Sequence, residues 1–142
     1  MRQIAETIIW RISGPLLDRF DLRIEVPAVR FQDLSLPASG KRSHVIAKRV
    51  LAARALQDTR YANTEIATNS DLKGDAIDRL IHTEEDAKTC LEQAAIKLNL
   101  TARGFHRVIR VARTIADLKQ SEHVARHHVG EAISFRNSAN AA

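Results

Sequence analysis

Cysteine, methionine, tryptophan and tyrosine each occur once in these 142 residues, glycine five times and proline three times, and aromatics make up 4%. A lone Cys90 cannot close an intramolecular disulfide. That excludes a small disulfide-stapled fold and fits a reducing compartment, the cytoplasm by default. With so few aromatics, a core must be built from Leu, Ile, Val and Ala, which favours packed helices over a β-sandwich. No apolar run approaches the roughly 20 residues that span a bilayer. The opening Met1-Arg2-Gln3-Ile4-Ala5-Glu6 has no signal-peptide apolar stretch, so no membrane partner is expected. The Gly-Lys pair Gly40-Lys41 has Ser35 five positions before it and Arg42 after it, which breaks the phosphate-loop pattern at both ends. No hydrophobic strand ends in the paired acids that would hold magnesium. His106, His123, His127 and His128 have no Cys or acidic residue at metal-ligand spacing, so no metal site is expected, and no cofactor is expected on this chain alone.

Hydrophobic residues make up 44% of the chain and charged residues 27%, which suits one globular domain. The net charge is +5 and the sequence pI about 9.9. Such a balance permits contact with phosphates on nucleotides or nucleic acid, and plain solubility explains it equally well.

Residues 1–27 read as a weakly amphipathic start (Ile4, Ile8, Ile9), a turn at Ser13-Gly14-Pro15, and a half-buried strand in which Leu22, Ile24 and Val26 alternate with Arg23 and Glu25. Residues 28–43 have no period and read as a linker. From 44 to 136 the pattern is helical, and 137–142 should be a disordered tail. Within the helical part, Ile46, Val50, Ala53 and Leu56 mark one stripe after a Ser43 N-cap, in a helix that should fray near Tyr61. A short helix is predicted over 72–81, and Thr83 with Asp86 predicts a capping box. Ala87, Leu91, Ala94, Ala95 and Leu98 mark the next helix. Thr101 should open the strongest one, lined by Phe105, Val108, Ile109, Ala112, Ile115 and Ala116. Ala125, Val129, Ala132 and Ile133 mark the last. The expected class is therefore mainly α: a four- or five-helix bundle preceded by a helix-turn and an orphan strand. A single strand cannot pair its own backbone, so the chain reads as the C-terminal part of something larger, with residues 1–42 expected to be mobile or only weakly docked.

Two clusters could carry chemistry. Arg19, between Asp18 and Asp21 on a turn before the strand, could reach a phosphate on a neighbouring molecule, or simply pair with those acids. Arg103, Arg107 and Arg110 recur along one helix face. They suit an anionic partner, or a solvated face answered by Glu84, Glu85 or Glu92. Cys90, with no base at hand, reads as a small, partly buried hydrophobe.

The stretches Ile12-Ser13-Gly14-Pro15-Leu16-Leu17-Asp18-Arg19-Phe20-Asp21-Leu22-Arg23-Ile24-Glu25-Val26-Pro27 and Leu100 to Leu118, together with Arg49, Val50, Ala53 and Arg54, resemble the magnesium-chelatase family. The likeness is closest to AAA+ ATPases of the competence-protein ComM type. It implies that residues 1–27 end an AAA+ core and that 44–136 are its helical lid. It implies that Arg19 is an arginine finger supplied in trans, that Arg103 is the sensor-2 arginine on the terminal phosphate, and that Arg110 is a second basic position on that helix. The implied cofactors are ATP and Mg2+ in the full-length parent. The implied partners are the upstream core and neighbouring subunits of a homo-oligomeric ring, whose output is either branch migration, with DNA as a further partner, or metal chelation. The phosphate loop, Walker B acids and sensor-1 residue lie upstream in the family and are missing here, so the chain alone should be inactive. The family tends to carry an acid where Lys41 stands. From a different class, a free-standing basic helical module that binds DNA without catalysis also fits the composition.

Overall fold

The computed structural model describes residue 16, residues 19–36 and residues 40–137. The start through Ile4, Ile8 and Ile9, the Gly14-Pro15 turn, Asp18 and the tail from residue 138 lie outside the described residues. Among those described there are five α-helices: α1 (Ser43–Tyr61), α2 (Asp75–Leu80), α3 (Glu85–Lys97), α4 (Ala102–Leu118) and α5 (Arg126–Asn137). Short 3-10 turns occupy Phe31–Ser35 and Asn69–Asp71. The chain is mainly helical, as its composition requires.

Helix α4 is the hub, packed against α1, α3 and α5, while α3 and α5 also pack on each other. Its stripe explains this. Val108, Ile109, Ala112, Ile115 and Ala116 are all buried, and they meet Leu91, Val129 and Ala132 from the flanking helices. Thr101 caps α4, its hydroxyl oxygen accepting from the Gly104 N–H at 3.0 Å, which satisfies one of the donors every helix start leaves open. Helices α3 and α4 both end in a left-handed residue, Asn99 (φ 47°) and Gln120 (φ 57°). In each case the following N–H returns to a carbonyl of the last turn, Leu100 to Ala95 and Ser121 to Ala116, both at 2.9 Å. Gly74, at φ 51°, precedes α2 in a conformation that only glycine adopts without strain.

Several local expectations are corrected. The N-cap of α3 is Glu84, and no Thr83–Asp86 capping box forms. Thr83 instead makes a parallel bridge to Val124, where the Val124 N–H donates to the His82 carbonyl at 2.9 Å and the Glu84 N–H to the Val124 carbonyl at 3.0 Å. Backbone pairing there leaves the threonine no freedom to cap. Ser43 is the first residue of α1, and Arg42 is its N-cap. The stripe on α1 is buried only from Ala53 onward. Ile46 and Val50 are exposed, as is every residue of α1 before Ala53, because the packing of α1 on the bundle begins at that residue.

Residues 22–30 form no regular element. The Leu22, Ile24 and Val26 alternation is present, but among the described residues there is no ladder for it to join, and the exposure of these side chains rises from 49% to 68% and 81%. The weak docking expected of residues 1–42 does not hold at Arg23. Its N–H donates to the Phe135 carbonyl at 2.9 Å, and its guanidinium donates to the Arg136 carbonyl at 3.3 Å.

Candidate functional site

Arg19 sits on a bend closed by its own N–H donating to the Leu16 carbonyl at 3.0 Å. Its side chain is exposed and makes no hydrogen bond or ion pair among the described residues. The neighbouring Asp21 carboxylate is already occupied: Arg107 of α4 holds it at 2.6 Å through Nη1. The same Nη1 donates to the carbonyl oxygen of Arg19. The Arg107 side chain is only 17% exposed. Asp21 therefore pairs with Arg107 and not with Arg19. Neither Glu84, Glu85 nor Glu92 answers the arginine row. Asp21 does, from the other end of the chain.

The three arginines of that row have different surroundings. Arg103, in the first turn of α4, is exposed, without a hydrogen bond or ion pair among the described residues. Arg107 clasps the 19–21 bend. Arg110 donates through Nη1 to the carbonyls of Ser70 and Leu72, at 3.0 and 3.2 Å, and so fastens the 68–72 turn to α4. That turn is closed on itself, because the Thr68 N–H and hydroxyl both donate to the Asp71 carboxylate, at 2.8 and 2.9 Å. These two bonds hold the Asp71 carboxyl below the usual aspartate range. Arg19 and Arg103 thus make no side-chain hydrogen bond or ion pair among the described residues, and Arg107 ties the bend that carries Arg19 to the helix that carries Arg103. Arg110 is employed in a main-chain clamp.

A polar network that spacing did not single out lies inside the bundle. Asp117, fully buried, accepts two parallel bonds from Arg60 of α1, 2.5 Å to Oδ1 and 3.2 Å to Oδ2. Arg113 adds 3.1 Å through Nε, and Asn69 adds 2.8 Å through Nδ2. Arg113 also donates to the Ser121 and Glu122 carbonyls, at 2.5 and 2.7 Å, which ties the end of α4 to the loop before α5. Burial depresses the Arg113 pKa against the pull of Asp117, whereas for Arg60 the bonds to Asp117 and Tyr61 outweigh burial and raise it. Both stay cationic. The only sequence signal was Arg113 and Asp117 at i, i+4 on an otherwise apolar face. This network braces α1, the 68–71 turn and α4, with one carboxylate, Asp117, shared between two guanidinium groups, Arg60 and Arg113.

An open depression of about 260 Å³ lies beside this network, lined by Val50, Ala53, Arg54, Gln57, Thr114 and Leu118 among others. It contains neither Arg19 nor Arg103. Those two therefore stand on open surface, suited to an anion carried by another molecule or by a segment outside the described residues.

The magnesium chelatase, subunit ChlI C-terminal family model matches residues 40–136, more than half of the chain. The chain belongs to this family. Its helical unit is the C-terminal lid type of the magnesium-chelatase-like proteins. The uncharacterized protein YifB of Salmonella typhimurium is 39% identical over 127 residues, 89% of this chain and 24% of that protein. Competence protein ComM of Haemophilus influenzae is 36% identical over the same length and shares. An uncharacterized protein of Mycobacterium tuberculosis is 32% identical over 128 residues, 90% of this chain and 25% of that one. The chain spans about a quarter of the length of the curated relatives it matches. Among the described residues, no helix of this magnesium chelatase C-terminal unit is long and apolar enough to cross a membrane.

Proposed function

We propose that this chain is the lid end of a magnesium-chelatase-like AAA+ ATPase, in which Arg19 acts in trans as an arginine finger and Arg103 as the sensor-2 arginine. The observation that carries the reading is the state of Arg19. Its main chain is held at both N–H and carbonyl while its side chain is exposed, with no acid on it among the described residues. A planar, permanently charged group presented in this way suits the charge that develops on a transferring phosphoryl group. Arg103 is likewise open and cationic. Arg110, the second basic position, contributes by holding the 68–72 turn on α4, a less direct role than a phosphate contact. ATP with Mg2+ would be held by core segments that lie upstream in the family, and when bound there it supplies the phosphoryl group that these arginines meet.

The partners of this reading are that core and neighbouring subunits of a ring. Exposed apolar side chains concentrate between residues 22 and 51, Ile24, Val26, Phe31, Leu34, Ile46 and Leu51 among them, which suits burial against the core. Of the two outputs, metal chelation and DNA remodelling, the likeness to a protein named for competence favours DNA, with the ring acting as a branch-migration motor in the cytoplasm.

The test is turnover by the full-length protein. Arg19→Ala should cut ATP hydrolysis by about 10³-fold or more, in line with arginine fingers supplied in trans, and leave ATP binding intact. Near-normal turnover rejects the assignment. A second reading, a module that binds DNA without catalysis, draws on one feature. Residues 34–57 contain Lys41, Arg42, Lys48, Arg49 and Arg54, all exposed, and no acid. Their charge equals the net +5 of the whole chain. Salt-sensitive duplex binding by the 142-residue chain, lost when these five are neutralised, would support it.

A further inference from the structure

We infer that Arg107 is a positioning residue: it couples the Arg19 bend to helix α4, so that the finger and Arg103 are aimed together. The inference rests on the arginine-finger reading of Arg19 and adds to it the device that sets the finger's place. One guanidinium nitrogen, Nη1 of Arg107, serves both the Arg19 carbonyl and the Asp21 carboxylate, on the two sides of residue 20. A point charge would tolerate many orientations. A planar guanidinium holding two acceptors within three residues permits few, so the bend is fixed in direction as well as in place. The Arg107 side chain is mostly covered while Asp21 stays about half exposed, so the clasp owes its hold to two acceptors on one guanidinium more than to exclusion of water. Two residues on, the Arg23 N–H is tied to Phe135 of α5. The segment 19–23 is therefore fastened to two different helices, and the free Arg19 side chain projects from a fixed base.

The coupling follows from position on the helix. Arg103 and Arg107 are one turn apart on α4, about 6 Å along its axis. Any rotation of α4 that moves Arg103 carries the Arg19 carbonyl with it, through Arg107. Arg19 is joined to α4 by this contact alone among its described hydrogen bonds. Arg107 touches neither free guanidinium, so its effect on an anion is indirect.

The experiment compares four variants of the full-length protein by steady-state ATP hydrolysis: Arg19→Ala, Arg107→Ala, Arg107→Lys and Asp21→Asn. Arg107→Ala should lower kcat by about 10²-fold, the scale of an ångström-level misplacement, with KM for ATP within twofold. Asp21→Asn should fall between wild type and Arg107→Ala, because the carbonyl contact survives. Arg107→Lys should recover part of the loss, since an ammonium can still reach one acceptor. Amide exchange on the 142-residue chain provides the second readout. In Arg107→Ala the 19–23 amides should exchange faster while those of Val108–Ala116 stay protected; faster exchange throughout α4 would mean that Arg107 only supports the fold, and would overturn the inference. Wild-type kcat in Arg107→Ala beside a disabled Arg19→Ala also overturns it while leaving the finger in place. Wild-type kcat in Arg19→Ala instead overturns the finger reading, and this inference with it.

Discussion

Arg60 and Asp117, 57 residues apart in the chain, meet as a two-bond pair, with Arg60 only partly exposed and Asp117 wholly enclosed. Among the described residues, the donors to this carboxylate are Arg60, Arg113 and Asn69. Asp117→Ala should therefore leave Arg113 buried without its counter-charge, and the expected loss is about 3–5 kcal/mol of stability. Arg60→Ala should cost less, because Asp117 keeps Arg113 and Asn69. Urea unfolding of the two variants checks both the size and the order, and equal midpoints for wild type and Asp117→Ala would show that the network is not sealed.

His128 is buried, and its Nδ1 accepts from the Ala125 N–H at 3.0 Å at the start of α5. Only the neutral ring can accept there. Burial first, then the neighbouring His127 and Lys119, push its pKa below the usual histidine value. The unfolded chain takes up the proton near the ordinary value of about 6.5, and the folded chain only at lower pH. Stability from this group is thus fully present above about 6.5 and is lost as pH falls from there through the lowered folded pKa. The midpoint of thermal unfolding should drop over that window, and His128→Asn, which can accept without titrating, should flatten the drop. An unchanged slope in the variant would place the pH dependence elsewhere.

Thr101→Ala removes the hydroxyl that accepts from Gly104 and should cost about 1 kcal/mol, while Thr101→Ser should cost little. Because α4 is the hub of the bundle, the loss should appear in global unfolding and not only as fraying of one helix end. Chemical denaturation followed by circular dichroism measures this, and a serine variant as weak as the alanine one would contradict the capping role.

The 142-residue chain by itself should neither hydrolyse ATP nor bind it at micromolar concentration. Arg19 and Arg103 offer charge-assisted contacts, but this sequence has no glycine-rich loop of N–H groups to cradle the phosphates. Isothermal titration with ATP in magnesium buffer is the check. A saturable micromolar isotherm would reveal a site that neither arginine explains.

The helical class and most of the core were legible from one residue after another. Scarce aromatics and an Ala, Ile and Val stripe on α4 dictate helix packing, because a 3.6-residue period is a local property. Thr101 as a cap was equally local, and so was the presence of a surface arginine at position 19. What the sequence by itself could not determine was who meets whom. Ile46 and Val50 lie on the same stripe as Ala53, yet only Ala53 is covered, since burial depends on where the neighbouring helices end. Thr83 and Asp86 have the spacing of a capping box, but the backbone pairing to Val124, 41 residues on, takes precedence. Arg103, Arg107 and Arg110 look alike in sequence. Tertiary structure alone gives the second the 19–21 bend to hold and the third a turn to clamp, and leaves the first without a partner among the described residues, because a guanidinium's contacts are decided by the acceptors that folding brings to it from distant parts of the chain.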